Sequence, residues 1–264
     1  MDLGLKGKKV FISGSTAGIG FATAQSFLRE GADVIINGRS EGSVSKALEK
    51  LTGEFPEANI EGFSADFASQ ESVNALTAAL PDIDILINNV GIYSSQSFFE
   101  TSDEEWMKQY EVNVMSGVRL SRKLLPGMLE RNWGRILFVS SECATLVPED
   151  LISYSTTKGA LLTVSRGLAQ LTKGTGVTIN AVIPGSTMTE GAEAFLSDLA
   201  EKENKTVQQA ESDFFSEIRT SSLLQRFAKV EEIANSIVYF SSPLASATNG
   251  TAIKLDGGSM GGIL

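Results

Sequence analysis

The chain has 264 residues, 42% of them hydrophobic, and a formal net charge of −10 at pH 7. This acidity excludes a general nucleic-acid surface, because binding to phosphate backbones needs clustered lysine and arginine. Histidine is absent and Cys143 is the single cysteine, so an internal disulfide, a Cys/His zinc site and every histidine-based mechanism are excluded, and no metal site is predicted.

Seven short runs rich in β-branched residues recur along the chain and predict strands. They are nearly continuous apolar runs rather than alternating ones, which is typical of parallel strands covered on both faces. They lie at residues 9–13, 33–37, 60–64, 83–88, 134–140, 177–183 and 252–256.

Amphipathic stretches fill the intervals between these strands and predict helices. They span residues 19–30, 42–54, 70–80, 104–130, 154–172 and 230–240. The alternation predicts an α/β fold with a doubly wound, seven-stranded parallel sheet and helices on both faces, as in the Rossmann fold. No repeat or linker divides the chain, so one domain over residues 1–264 is expected.

The sequence contains no run of about eighteen apolar residues that would span a membrane. Residues 1–9 lack the apolar core of a secretion signal. A cytoplasmic protein without a membrane partner is therefore expected.

Segment 189–225 interrupts the alternation of strands and helices. It is long, charged and helical in composition, and no strand is predicted inside it. Because it leaves the sheet at the carboxyl end of a strand, we expect a substrate lid rather than a solvated helical excursion. Without a strand pairing to anchor it, the segment is expected to be mobile until ligands order it.

Three glycines follow the first predicted strand and lead directly into a helix. Residues 14–20 are Gly-Ser-Thr-Ala-Gly-Ile-Gly. Glycine lets the backbone turn tightly and approach a pyrophosphate, whose charge is stabilised by the N-terminus of the following helix. The spacing differs from Gly-x-Gly-x-x-Gly, but the position between a strand and a helix predicts a dinucleotide site.

Arg39 follows the second predicted strand, where the adenosine ribose of a dinucleotide is recognised. A carboxylate at this point would bind a ribose 2′-hydroxyl, whereas arginine suits a 2′-phosphate. No Asp or Glu occupies positions 37–40, although Glu41 follows. NADP(H) is therefore the favoured cofactor, and NAD(H) is the alternative.

Ser141 follows the fifth predicted strand, and Tyr154 and Lys158 follow it on a predicted helix. Residues four apart share a helix face, so the phenol and the ammonium project together. A free tyrosine has a pKa of about 10, and a lysine ammonium within a few ångströms is expected to lower that pKa. In a chain without histidine, this arrangement predicts the proton-transfer group of an enzyme.

These motifs together resemble the short-chain dehydrogenase/reductase family over essentially the whole chain. Other residues also match the family pattern. They are Asp66, residues 88–91 (Asn-Asn-Val-Gly), Asn113, Pro184, Gly185 and residues 256–258 (Asp-Gly-Gly). Residues 224–234 are similar to the 3-oxoacyl-(acyl-carrier-protein) reductase branch of the family.

The resemblance implies an NAD(P)-dependent oxidoreductase acting on a ketone or secondary alcohol. It implies that Tyr154 transfers the substrate proton, Lys158 tunes it while holding the nicotinamide ribose, and Ser141 binds the substrate oxygen. Asn113 would support a proton relay through water, and Asp66 would contact the adenine. The implied cofactor-binding residues, besides Tyr154 and Lys158, are Gly14, Ser15, Thr16, Gly18, Ile19, Gly20, Arg39, Asp66, Phe67, Asn88, Val90, Gly91, Pro184, Gly185, Thr187 and Thr189.

The chain departs from the family pattern at several positions. Val90 stands where alanine is usual, and Ala17 lacks the basic residue that many NADP-dependent members place in the glycine loop. Residues 142–145 and segment 189–225 are not typical of the acyl-carrier reductases. A small carbonyl or alcohol substrate is expected, with a 3-oxoacyl thioester as one candidate.

Other functions stay open at this point. One is an NAD-linked dehydrogenase of a hydroxy acid, sugar or steroid, and another is a nucleotide-binding protein that has lost catalysis. An acyl hydrolase using Ser141 lacks the histidine base that it needs.

Helices 104–130 and 154–172 carry apolar residues on more than one face, which together with the resemblance predicts a homotetramer, or else a homodimer.

Overall fold

The computed structural model describes residues 1–262. Their strands are β1 Lys9–Ile12, β2 Asp33–Gly38, β3 Ile60–Ser64, β4 Ile85–Asn88, β5 Gly134–Val139, β6 Val177–Pro184, β7 Thr187–Met188, β8 Ala228–Lys229 and β9 Ala252–Leu255. Seven of them form one parallel sheet in the order β3-β2-β1-β4-β5-β6-β9. The doubly wound, seven-stranded sheet expected from the sequence is confirmed.

Helices connect these strands. They are α1 Gly18–Arg29, α2 Glu41–Glu54, α3 Gln70–Ala79, α4 Asp103–Tyr110, α5 Ser116–Glu130, α6 Cys143–Leu146, α7 Ile152–Gln170, α8 Glu190–Glu203, α9 Val207–Asp213 and α10 Val230–Phe240. The helix predicted over residues 104–130 is present as α4 and α5, joined by the π-helical segment Glu111–Met115. The short helix α6 was not predicted from the sequence.

The side chains of β1 show why the sheet is covered on both faces. Val10 and Ile12 belong to one buried cluster, with residues of α1, α2 and α10. Phe11, between them, belongs to a second cluster with residues of α3, α5 and α7. Because successive side chains of a strand point to opposite faces, only a nearly continuous apolar run suits a sheet between two helical layers.

Segment 189–225 is anchored by a strand pairing, which corrects the expectation that it has none. β7 pairs in parallel with β8, Thr187 with Ala228 and Met188 with Lys229, so the two strands bracket the segment. Strands of two residues carry no periodicity, and the sequence pattern missed them for that reason. The segment also buries a small core with Phe227, consisting of Leu196, Ala200, Ala210, Phe214 and Phe215. Its role as a mobile lid stays a prediction.

No helix within residues 1–262 is both long and apolar enough to cross a membrane. Over the same residues, no His, Cys, Asp or Glu side chains are grouped in a way that could hold a metal ion.

Candidate active site

A crevice opens at the carboxyl ends of β1 and β4. β2 and β3 extend the sheet on one side of β1, whereas β4, β5 and β6 extend it on the other. Loops that follow neighbouring strands at such a switch point diverge, and ligands bind between them. The loops after β1 and β4 line this crevice.

The loop after β1 requires glycine at its closest approach to the loop after β4. Gly14 has a φ of +62°, in the left-handed region. A Cβ at this residue would lie 2.9 Å from Val90 Cα, closer than side chains allow. Asn37 of β2 fixes the loop from the other side, because Gly14 N donates to Asn37 Oδ1 at 3.1 Å and Asn37 N donates to Ser15 Oγ at 2.9 Å.

The N-terminus of α1 attracts negative charge. The N-cap residue, Ala17, has no side chain that can cap the helix, which leaves backbone N–H groups for another acceptor. Gly18 N donates to the carboxylate oxygen Glu190 Oε1 at 3.4 Å. This end of the helix therefore has the chemistry of an anion site.

A cavity of about 440 Å³ lies at the ends of β1, β2 and β3. Arg39 and Lys108 bring two positive charges to it, and Asp66 brings a carboxylate. The cofactor-binding residues predicted from the sequence that line it are Gly14, Thr16, Arg39, Asp66, Phe67 and Val90. The lining residues that sequence reasoning missed include Ala17, Asn37, Ser40, Ser43 and Lys108.

A second cavity, of about 290 Å³, lies at the ends of β4, β5 and β6. Ala17 lines both cavities, so the two adjoin across the glycine loop. The predicted residues that line the second cavity are Ile19, Gly20, Gly91, Ser141, Tyr154, Lys158, Pro184, Gly185, Thr187 and Thr189. The structure thus brings the three predicted catalytic side chains Ser141, Tyr154 and Lys158 to one site.

Tyr154 and Lys158 lie one turn apart on α7. Lys158 is buried, its Nζ donates to Val139 O at 2.9 Å, and the same Nζ lies 5.5 Å from the centre of the Tyr154 ring. The ring of Tyr93 packs edge-on against Tyr154 with the ring centres 5.9 Å apart. Ser141 lines the same cavity as Tyr154, and its Oγ accepts from Cys143 N at 3.2 Å.

Desolvation shifts the pKa of each member of this pair towards its neutral form. It raises the pKa of Tyr154 well above the ordinary value of the phenol, and the hydrogen bond with Ser141 opposes the shift only in part. Desolvation also lowers the pKa of Lys158 to about 8. The expectation that the lysine lowers the tyrosine pKa is corrected here, because burial of the phenol has the largest influence and favours its neutral form.

Asn113 lies in the π-helical segment between α4 and α5, beside both cavities without lining either. Its Oδ1 accepts from Ile92 N at 2.8 Å, and its Nδ2 donates to Ile92 O at 2.9 Å. The same Nδ2 donates to Thr157 Oγ1 at 2.9 Å. The amide therefore joins the loop after β4 to α7, next to Lys158, and π-helical turns frequently occur at functional sites.

Three more predicted cofactor residues lie outside both cavities. Ser15 is fully buried, and its Oγ donates to Ile12 O at 2.7 Å. Gly18 begins α1 beside the loop. Asn88 is buried under the site with its Nδ2 3.4 Å from Ser121 Oγ, and the neighbouring Asn89 lines the second cavity in its place.

Asn89 belongs to the Asn-Asn-Val-Gly motif, for which the resemblance implies Asn88 rather than Asn89 as the cofactor-binding residue. Its Nδ2 donates to Ser13 O at 3.1 Å and to Gly14 O at 2.7 Å. It therefore holds the glycine loop against the loop after β4. The sequence shows two adjacent asparagines at the end of a strand. Only one of two successive residues can face the crevice, and the sequence does not show which one.

The chain matches the family model described as short chain dehydrogenase over residues 8–200. It is 46% identical over 258 residues to the uncharacterised oxidoreductase YvaG of Bacillus subtilis, with 98% of each chain covered. It is 29% identical to 3-oxoacyl-[acyl-carrier-protein] reductase FabG of Aquifex aeolicus, covering 98% of this chain and 99% of that protein. Its structure is similar to L-sorbose reductase of Gluconobacter frateurii, solved in complex with NADPH and L-sorbose, with a TM-score of 0.93, 31% identity and 100% of both chains covered.

Proposed function

The chain belongs to the short-chain dehydrogenase family and is an NAD(P)-dependent oxidoreductase, and on this premise we propose that it reduces a ketone to a secondary alcohol with NADPH. The observation that carries the proposal is that Ser141, Tyr154 and Lys158 line one cavity beside the glycine loop. The phenol of Tyr154 is neutral at neutral pH, because its ordinary pKa is about 10 and desolvation raises that pKa further. A neutral phenol suits proton donation to a carbonyl oxygen, which is the direction of reduction.

The two adjoining cavities fit a dinucleotide cofactor. The space in front of Gly14 would be lost to any side chain, and the N-terminus of α1 attracts an anion, as a pyrophosphate requires. Arg39, Asp66 and Phe67 would hold the adenosine half, and residues 184–189 would hold the nicotinamide half. When bound, the cofactor supplies the hydride.

The remaining chemistry belongs to the protein side chains. Tyr154 donates the proton to the substrate oxygen, and Ser141 donates a hydrogen bond to the same oxygen. The ammonium of Lys158 stabilises the phenolate that Tyr154 becomes after transfer. Asn113 keeps α7 in place through Thr157 and supports reprotonation through water.

The rate of ketone reduction is expected to fall as the pH rises through about 8. Lys158 has a lowered pKa of about 8, so its ammonium is present below that pH and is lost above it. Tyr154 stays protonated over the same range because its pKa is raised. Turnover numbers measured between pH 6 and pH 10 at saturating NADPH test this, and a profile that is flat or rises above pH 8 contradicts it.

Replacing Arg39 with alanine is expected to weaken NADPH binding by about tenfold or more, because a hydrogen-bonded charge pair contributes about 1.5–3 kcal/mol. NADH binding should hardly change, since NADH has no 2′-phosphate. Fluorescence titrations of both cofactors measure the difference. Equal losses for NADPH and NADH, or a wild-type preference for NADH, would contradict the assignment of Arg39.

The substrate has two candidates. The resemblance to the acyl-carrier reductases, and the relative from Aquifex aeolicus, support a 3-oxoacyl thioester. The likeness to L-sorbose reductase supports a hydroxylated ketone. Consumption of NADPH with acetoacetyl thioesters and with L-sorbose, side by side, decides between them.

We propose that the protein forms a homotetramer, or else a homodimer. An apolar groove of about 370 Å³ runs between α5 and α7, lined by Val118, Ser121, Arg122, Leu125, Pro126, Leu129, Val164, Leu168 and Leu171. Val118 and Val164 lie on the two helices predicted to be apolar on more than one face, and they line this groove. Val114 and Leu161 of the same helices are buried within the subunit. Leu171 is 62% exposed, and a second copy would cover it.

Light scattering at micromolar concentration is expected to give a mass above the monomer value of 28.1 kDa. Val164→Glu should lower that mass, because a charge in the groove would oppose contact with an apolar partner. A monomer mass for the wild-type protein would contradict the assembly.

A further inference from the structure

Glu142 is a buried carboxylate that none of the sequence motifs explains. It directly follows Ser141 and is only 3% exposed. Its Oε1 accepts hydrogen bonds from Ser186 Oγ at 3.1 Å and from Arg219 Nε at 3.2 Å. Burying a charge is costly unless it is paired and hydrogen-bonded, so these two contacts determine where the carboxylate can lie.

The first contact connects Glu142 to the loop after β6. Glu142 N donates to Pro184 O at 2.8 Å, which joins the main chains of the two loops. Gly185 packs against the same carboxylate, since a Cβ there would lie 2.8 Å from Glu142 Oε2. Pro184, Gly185 and Thr187 line the second cavity. The carboxylate therefore supports one wall of that cavity without lining it.

The second contact connects Glu142 to the end of segment 189–225. Arg219 follows the π-helical segment Phe214–Ile218, and its side chain is 16% exposed. In the described part of the chain, Arg219 is the one cation within ion-pair distance of Glu142, and Glu142 Oε2 has no hydrogen-bond partner there. Removing Arg219 would leave a buried carboxylate without a counter-charge, which is strongly unfavourable.

We propose that Glu142 is a positioning residue for the nicotinamide end of the cofactor site. Its carboxylate holds residues 184–187 in the shape that receives the nicotinamide half, and the pair with Arg219 fixes the end of segment 189–225 to that loop. The inference rests on the proposed function, because it requires the second cavity to bind nicotinamide. The adenosine half lies in the other cavity and is independent of Glu142.

This independence gives a direct test with two ligands. Glu142→Gln keeps the size of the side chain and an oxygen acceptor but removes the charge. Calorimetry on the purified full chain would compare NADPH with 2′-phospho-ADP-ribose, which lacks nicotinamide. We expect the NADPH dissociation constant to rise about tenfold or more, with little change for 2′-phospho-ADP-ribose. Hydrogen exchange should become faster in residues 184–187 and 214–222.

Matched variants distinguish a positioning role of Glu142 from a general effect on the stability of the fold. Arg226→Gln removes the exposed ion pair with Glu232 close to the end of the same segment, where the side chains are 43% and 45% exposed, and should change neither ligand. Arg219→Lys, which keeps the charge, should retain more NADPH affinity than Arg219→Gln. If Glu142→Gln does not fold, Ser186→Ala removes the loop contact, leaves the ion pair intact and allows the same comparison.

Two results would overturn the inference. One is unchanged NADPH affinity in Glu142→Gln, and the other is an equal loss for NADPH and 2′-phospho-ADP-ribose, which indicates general destabilisation. A wild-type protein that binds neither NADPH nor NADH would instead overturn the proposed function, and this inference with it.

Discussion

Replacing Tyr154 with phenylalanine is expected to lower the turnover number for ketone reduction by about a hundredfold or more. The substitution removes the hydroxyl and leaves the ring that packs edge-on against Tyr93. The wild-type phenol is available as a proton donor at neutral pH, because its ordinary pKa is about 10 and desolvation raises that pKa further. No histidine in the chain can replace it. Initial rates at saturating NADPH and ketone measure the loss.

Tyr93→Phe is the matched control, since Tyr93 lines the same cavity and is 66% exposed. Removing its hydroxyl should leave turnover close to the wild-type value. NADPH affinity and melting temperature of Tyr154→Phe should also stay close to wild type. A folded Tyr154→Phe protein with near-normal turnover would show that another group transfers the proton.

Replacing Gly20 with alanine is expected to destabilise the fold and to weaken NADPH binding at least about tenfold. The new Cβ would meet the Gly14 carbonyl oxygen and lie 2.5 Å from Asn89 Nδ2 and 2.9 Å from Ser15 Cα. Asn89 Nδ2 already donates to Gly14 O, so the loop and α1 must separate to make room. Overpacking of this kind costs about 1–3 kcal/mol. Thermal unfolding and NADPH titration measure the two effects.

Gly53→Ala provides the comparison within a helix that has room for the methyl group. A Cβ at Gly53 meets no atom within 4 Å, and alanine is more favourable than glycine in a helix by roughly 0.5–1 kcal/mol. This variant should be as stable as wild type or slightly more so, with unchanged NADPH affinity. If Gly20→Ala were also as stable as wild type and bound NADPH with unchanged affinity, the close approach of α1 to the glycine loop would have no role in shaping the cofactor site.

The parts of this protein that could be predicted from the sequence depend on short-range patterns. Residues four apart on a helix share a face wherever that helix lies, so Tyr154 and Lys158 could be paired without a structure. The glycines between the first strand and the first helix likewise predict a dinucleotide site without a structure. Continuous apolar runs predicted a sheet covered on both faces, as the two clusters on either side of β1 confirm.

Those patterns could not predict the register of the strands or the local geometry of the helices. The periodicity of residues 104–130 predicted one helix, whereas a π-helical segment places Asn113 where it joins Ile92 to Thr157. Which of two adjacent asparagines after β4 faces the cavity depends on how the strand sits in the sheet. The pairing of β7 with β8 joins residues 41 positions apart, Thr187 with Ala228 and Met188 with Lys229, and neither strand is long enough to show a pattern.

The sequence by itself determined which chemical groups are available, because the absence of histidine leaves tyrosine, lysine, aspartate and glutamate for proton transfer, and the four-residue spacing of Tyr154 and Lys158 indicates that pair. Only the tertiary structure decided how their pKa values shift. Desolvation raises the pKa of the Tyr154 phenol and lowers that of the Lys158 ammonium to about 8. Glu142 and Arg219 are 77 positions apart, and their pairing exists only because the loop after β5 and the end of segment 189–225 meet. Burial and long-range contact set these properties, since both depend on the packing of the whole chain rather than on neighbouring residues.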